Sequence, residues 1–154
     1  MSLISDVRGD TSFYYSLLGE ETPKTWFLRV PLVPSLYACL LFRLASETTG
    51  MRHLLVKRYL LRCFGCVVAS GADIRGPIRL PHPTGIVIGE GVVIGHRVQI
   101  FQHVTLGRDG KGDYPIIGDD VILFTGAVVA GAVTVPNGAR IGALQFVRPS
   151  PSSS

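Results

Sequence analysis

The chain has 154 residues, 47% of them hydrophobic and 17% charged, which suits one folded domain and excludes a disordered polypeptide. Its 18 glycines follow no Gly-X-Y triplet, which excludes collagen. A net charge of +4 suits an anionic ligand without the strong basic bias of nucleic-acid binders.

In chain order, residues 5–18 are expected as a first short helix, and Pro23, Pro31 and Pro34 interrupt the stretch after it. Residues 35–46 (SLYACLLFRLAS) read as a buried helix that starts after Pro34 and stops before Gly50. Residues 51–64 read as another helix. It carries Arg52, Lys57, Arg58 and Arg62 and no acid, a pattern that fits either a membrane surface or a packed helix with a solvated face. Three cysteines, Cys39, Cys63 and Cys66, cannot close a disulfide framework, and the C-x-x-C spacing has no second pair to complete a zinc site. The longest apolar run, Leu36 to Phe42, is seven residues, against about 20 for a bilayer span. No charged leader precedes an apolar stretch, so a cytoplasmic protein without stable membrane insertion is expected.

Composition changes near residue 65. Thirteen leucines precede that point and four come after it, whereas Val and Ile fill nineteen positions from Ile86 to Val147. Leucine favours helix and β-branched residues favour strand. Residues 1–65 are therefore expected as a helical segment, 66–148 as an all-β unit and 149–154 as a disordered tail.

The β unit repeats every six residues. Ile88, Ile94, Ile100 and Leu106 are succeeded, after an interruption, by Ile117, Leu123, Val129, Val135, Ile141 and Val147. Four positions after the leading aliphatics stand Val92, Val98, Val104, Val121, Ala127, Val133 and Ala139. Two linked inward positions per hexad describe a coil with three flat sides, whose faces are buried by stacking on neighbouring coils. The prediction is a mainly β fold, a parallel β-helix of hexapeptide repeats, with an N-terminal helical segment. The interval from Leu106 to Ile117 is eleven residues, so Arg108 to Tyr114 is expected as a polar loop extruded from the coil.

Of four histidines, His53 and His96 are expected on the surface. His103, in IFQHVTLG, can face a cleft or solvent. His82 lies in Leu80-Pro81-His82-Pro83-Thr84-Gly85, where two prolines restrict the backbone around a titratable group. Such rigidity suits a preorganised site, although a histidine in a turn is also often structural.

The segments PHPTGIVIGEGVVIG (Pro81 to Gly95) and VQIFQHVTLGRDGKG (Val98 to Gly112), with PSLYACLLFRLAS before them, resemble the serine O-acetyltransferase family and its relatives among hexapeptide-repeat acyltransferases. The resemblance runs from about residue 5 to residue 147. It implies a left-handed parallel β-helix and acetyl transfer from acetyl-CoA to a hydroxyl, with no metal. His82 matches the family's general base, suited to accept the proton of an attacking alcohol. Gly107, Arg108, Lys111 and Thr125 match the region that contacts CoA. Tyr114, His103 and Asp73 become candidates for acceptor binding. The resemblance further implies a homotrimer or a dimer of trimers, with acetyl-CoA between neighbouring β-helices.

The sequence departs from the family pattern at several points. Val67 stands where the family has the aspartate that orients the histidine; the nearest acid, Asp73, would lie half a coil away in an 18-residue turn. Pro81 replaces an aspartate, and Asp113 and Tyr114 replace an Arg-His pair, so the groups that would hold serine are largely missing. The sequence stops soon after Val147, short of the family's C-terminal tail. The acceptor is therefore L-serine or the hydroxyl of a sugar or other metabolite. Two alternatives stand beside this reading. One is a catalytically degenerate scaffold or partner subunit. The other is a metal enzyme using His82, His96 and His103, which needs three converging histidines.

Overall fold

Local chemistry sets the helix ends. The structure, a computed structural model, describes residues 2–110 and 112–149. Helix α1 (Leu3–Ser16) is capped by Ser2, whose hydroxyl accepts a hydrogen bond from the Ser5 N–H, as capping requires. It starts two residues before the expected position. A single helical turn, α2 (Trp26–Arg29), lies in the proline-punctuated stretch where no helix was expected. Helix α3 (Pro34–Glu47) has its proline in the first turn, where the missing N–H costs nothing. Helix α4 (Gly50–Phe64) ends on Gly65, left-handed at φ +63°, the usual C-terminal stop.

The strands come next, as a parallel solenoid of about four turns. Strands β1 (Val67–Val68), β2 (Asp73–Ile74) and β3 (Ile78–Arg79) open it. The second coil contains β4 (Val87–Ile88), β5 (Val93–Ile94) and β6 (Val98–Ile100), and the third β7 (Thr105–Gly107), β8 (Ile116–Ile117) and β9 (Ile122–Leu123). The fourth contains β10 (Val128–Ala130), β11 (Thr134–Val135) and β12 (Arg140–Ile141), and β13 (Phe146–Val147) closes the chain of strands. They form three flat sheets: β1-β4-β7-β10-β13, β2-β5-β8-β11 and β3-β6-β9-β12.

The period-six positions point inward, as the pattern predicts. Ile88, Ile94, Ile100, Leu106, Ile117, Leu123 and Val129 are buried, and so are the small partners Val92, Val98, Val104, Val121 and Ala127. Burial fades at Val133, Ala139, Ile141 and Val147, where fewer coils remain to stack on. One core crosses from the helices into the coils, joining Phe42 and Leu60 to Val68 and Leu80.

Register locates the irregularities. Val67 pairs with Val87, twenty positions on, and Val87 pairs with Thr105, eighteen on. The first coil is thus longer than the expected 18-residue turn. Its two additional residues fall between β3 and β4, in the segment that carries Pro81-His82-Pro83. Thr105 pairs with Val128, twenty-three on, because the polar loop leaves the third coil between β7 and β8.

One expectation is corrected here. His53 is half-buried rather than on the surface, with Nδ1 2.9 Å from the Ala45 carbonyl oxygen. Asp73 lies on β2, in a different sheet from the strand that leads to His82, and is ion-paired with Arg75 at 2.7 Å. The proposed tail falls almost wholly on residues 150–154, outside the described residues. Among the described residues, no helix is long and apolar enough to cross a membrane.

Candidate active site

Helix α3 is strapped to the strand that leads into the His82 corner. One face presents Ser35, Cys39 and Arg43, spaced four apart, the helical interval that aligns side chains. Ser35 Oγ donates to the Leu80 carbonyl at 2.6 Å, Cys39 Sγ to the Ile78 carbonyl at 3.7 Å, and Arg43 Nη2 to the Gly76 carbonyl at 2.8 Å. Arg43 also grips Asp10 of α1 through Nε and Nη2, both at 2.7 Å. Asp10 Oδ1 accepts from the Ile78 N–H at 2.8 Å. Burial pushes the Asp10 carboxyl above its ordinary value, against the pull of the Arg43 guanidinium. Burial alone would lower Arg43, yet Asp10 holds it above its usual value. This buried pair fixes α1 and α3 relative to β3.

The result is a cleft of about 650 Å³ lined by side chains from α1, α3 and the corner, including Tyr14, Ser35, Arg79, His82 and Phe101. His82 is exposed on its rim. Its carbonyl accepts from the Thr84 N–H at 2.8 Å, which tightens the turn between the prolines. Its ring centroid lies 6.3 Å from that of Phe101. Phe101 in turn stacks on Phe124 at 5.4 Å, and the Arg140 guanidinium sits over Phe124 at 5.2 Å. The imidazole makes no hydrogen bond within the chain among the described residues, so both ring nitrogens are available to a ligand. Val67 is half-buried on β1 and, being aliphatic, supplies no acceptor.

His103 occupies the same corner one coil later. Its N–H donates to the Thr84 carbonyl at 2.9 Å. Its backbone is left-handed at φ +60°, a conformation uncommon outside glycine. The ring covers Gly85: a Cβ there would lie 2.2 Å from His103 Nδ1, and Gly85 itself has φ +66°. Gly85 is thus required both by its backbone and by the ring above it.

The remaining candidates lie elsewhere on the chain. Asp73 lines a separate cleft with Asp6, Glu47 and Arg75. Tyr114 packs back over Gly91, where a Cβ would lie 2.4 Å from its ring. It lines a third cleft with Asp113 and Thr134. Neither shares the His82 cleft within one chain, because Asp73 is on β2 and Tyr114 lies just before β8, strands of a different sheet from the one that leads to His82. Gly107 ends β7 with open space where a side chain would be. Arg108 is exposed beside it, and Thr125 is half-buried at a corner, its carbonyl accepting from the Leu144 N–H at 2.9 Å. Lys111 lies outside the described residues. Among those residues no group of three His, Cys, Asp or Glu side chains could hold a metal ion. Sequence reasoning missed Arg79, Tyr14 and Ser35. Arg79 stands at an outward hexad position, but nothing in sequence brings helix residues 14 and 35 to it.

No family model matches the chain. Among curated proteins it is 36% identical over 119 residues to the serine acetyltransferase of Helicobacter pylori, covering 73% of this chain and 70% of that protein. It is 45% identical over 82 residues to the serine acetyltransferase of Bacillus licheniformis, covering 51% of this chain and 38% of that one. The plasmid serine acetyltransferase of Synechococcus elongatus is 43% identical over 90 residues, with 28% of its length matched. The chain thus spans about a third of the length of several curated relatives that it matches. Among solved structures, a serine acetyltransferase in complex with CoA superposes with a TM-score of 0.78 at 28% identity, over 97% of this chain and 64% of that one. Soybean serine acetyltransferase complexed with serine gives 0.74 at 31% identity, over 96% and 65%. Since more than two thirds of the Helicobacter pylori protein is matched, and the structural match extends over the helices as well as the solenoid, the chain belongs to the serine acetyltransferase family.

Proposed function

We propose that the protein is an acetyl-CoA-dependent O-acetyltransferase in which His82 is the general base. The observation that carries this reading is the exposed His82 imidazole, free of internal hydrogen bonds among the described residues, on a proline-braced corner that opens into the 650 Å³ cleft. An alcohol attacks a carbonyl poorly until its proton has an acceptor, and histidine exchanges protons near neutral pH. His82 takes the acceptor's hydroxyl proton as the oxygen attacks the thioester carbonyl. It then returns that proton to the departing thiolate, and no acyl-enzyme forms. Acetyl-CoA supplies the activated acetyl group.

Gly107, Arg108 and Thr125 fit a CoA surface. Gly107 leaves room for close approach, and Arg108 is an exposed cation outside the ion pairs of the described residues. Arginine suits phosphate recognition. Exposed apolar side chains on the coils, Ile116, Leu144 and Phe146, support the homotrimer expected for the family, in which clefts lie between neighbouring solenoids. The relatives' names point to serine as acceptor. With Asp73 outside the His82 cleft, and Pro81, Asp113 and Tyr114 in place of the groups that would hold serine, the acceptor reads instead as another hydroxyl compound.

Purified protein with acetyl-CoA and a panel containing L-serine and several sugars, read by thiol release, tests the proposal. His82→Ala is expected to lower turnover by about 10²–10⁴-fold while circular dichroism and CoA binding stay unchanged. Turnover indifferent to His82→Ala overturns the assignment of the base. Absence of thiol release with every acceptor favours the scaffold reading.

A further inference from the structure

Arg79 is the charged group of the His82 cleft that the proton transfer above does not use. Its guanidinium lies over the Tyr14 ring, 5.8 Å from the centroid, and Nη1 donates to Gln99 Oε1 at 3.1 Å. Nε is buried without an acceptor, and Arg79 takes no part in the ion pairs of the described residues. A guanidinium has five N–H donors, and a half-buried one attracts an acceptor with a negative charge. Here the side chain is already held by Tyr14 and Gln99, so little ordering remains to be done on binding.

The rest of the lining narrows the ligand. No Asp or Glu is among the residues that line the cleft. An ammonium group entering it would lose water without gaining a counter-charge from this chain. Val33, Pro34, Pro81, Pro83 and Phe101 supply an apolar wall, and Tyr14, Ser35 and Thr84 add neutral hydroxyl groups. The volume of about 650 Å³ falls within the roughly 300–1,000 Å³ of clefts that hold ligands much larger than one small amino acid.

We propose that the cleft recognises a ring-sized hydroxy acid without an amine, of the uronic acid class. Its carboxylate pairs with Arg79, its ring lies against the proline and phenylalanine wall, and a hydroxyl reaches His82. The assignment of that hydroxyl as the acetyl acceptor rests on the acyl-transfer reading; the carboxylate site does not.

Two measurements are made on the wild type, Arg79→Gln and Arg79→Lys. Equilibrium binding of glucuronate, glucose and L-serine is measured by calorimetry, and thiol release from acetyl-CoA is measured with each. Melting curves confirm that the variants fold. Glucuronate is expected to bind most tightly. Arg79→Gln should reduce its preference over glucose by about tenfold or more, the size of a charge-assisted contact, and Arg79→Lys should restore part of it. Equal binding of glucose and glucuronate, tighter binding of L-serine, or an equal loss for both sugars in Arg79→Gln overturns the site. Arg79-dependent glucuronate binding without thiol release from any of the three compounds leaves the site standing and overturns acyl transfer. Thiol release with L-serine alone leaves acyl transfer standing and overturns the assignment of the bound hydroxy acid as its acceptor.

Discussion

At the residue scale, the His82 corner depends on groups that do no chemistry. Gly85 combines φ +66° with a histidine ring where a side chain would go. Gly85→Ala carries about 1–2 kcal/mol of left-handed backbone strain and must also displace His103. A lower melting temperature and a loss of turnover are expected together, measured by calorimetry and thiol release. The Asp10–Arg43 pair offers a sharper test. Arg43→Met leaves a buried carboxylate without its cation, at a cost of about 3–5 kcal/mol, measured by urea unfolding. The double variant Asp10→Leu/Arg43→Met should lose less than Arg43→Met alone, because it removes the stranded charge along with its partner.

At the element scale, each coil is stable only through its neighbours. Ile100 is fully buried between the second and third coils, where its strand pairs with β9. Ile100→Ala is expected to cost about 2–5 kcal/mol, whereas truncation of Val147, half-buried in the last strand, should cost clearly less. Chemical denaturation of the two variants checks this gradient. The loop between β7 and β8 makes an opposite prediction. Arg108 is exposed and carries no packing, so Arg108→Ala should leave the melting temperature unchanged while weakening CoA binding by about tenfold, the value of one charge-assisted contact. Titration calorimetry reads the binding arm, and a melting curve the other.

At the scale of the whole molecule, the outer faces remain apolar in places. Leu144 is 82% exposed and Phe146 57% exposed, although they sit on a rigid scaffold. A trimer that covers such faces and joins the His82 cleft of one chain to the loop of the next is the expected assembly. Light scattering should give about three times the mass of the chain, and a stable monomer at working concentration would count against a shared site.

The solenoid was legible in the sequence because inward positions recur with fixed spacing, and stacking requires nothing that is distant along the chain. Ile88 to Val135 could be assigned to the core, and the Arg108–Tyr114 loop placed, by counting. The His82 corner was legible for the same reason: its two prolines are local signals. Tertiary structure decided the rest. Counting could not show that two additional residues belong to His82's own corner. Nor could it show that Tyr114 folds back onto Gly91. The cleft itself depends on Asp10 and Arg43, thirty-three residues apart, and on Tyr14 meeting Arg79 across the fold. Periodicity records contacts between equivalent positions of successive coils, whereas contacts between helix and coil have no period, so only the folded chain reveals them.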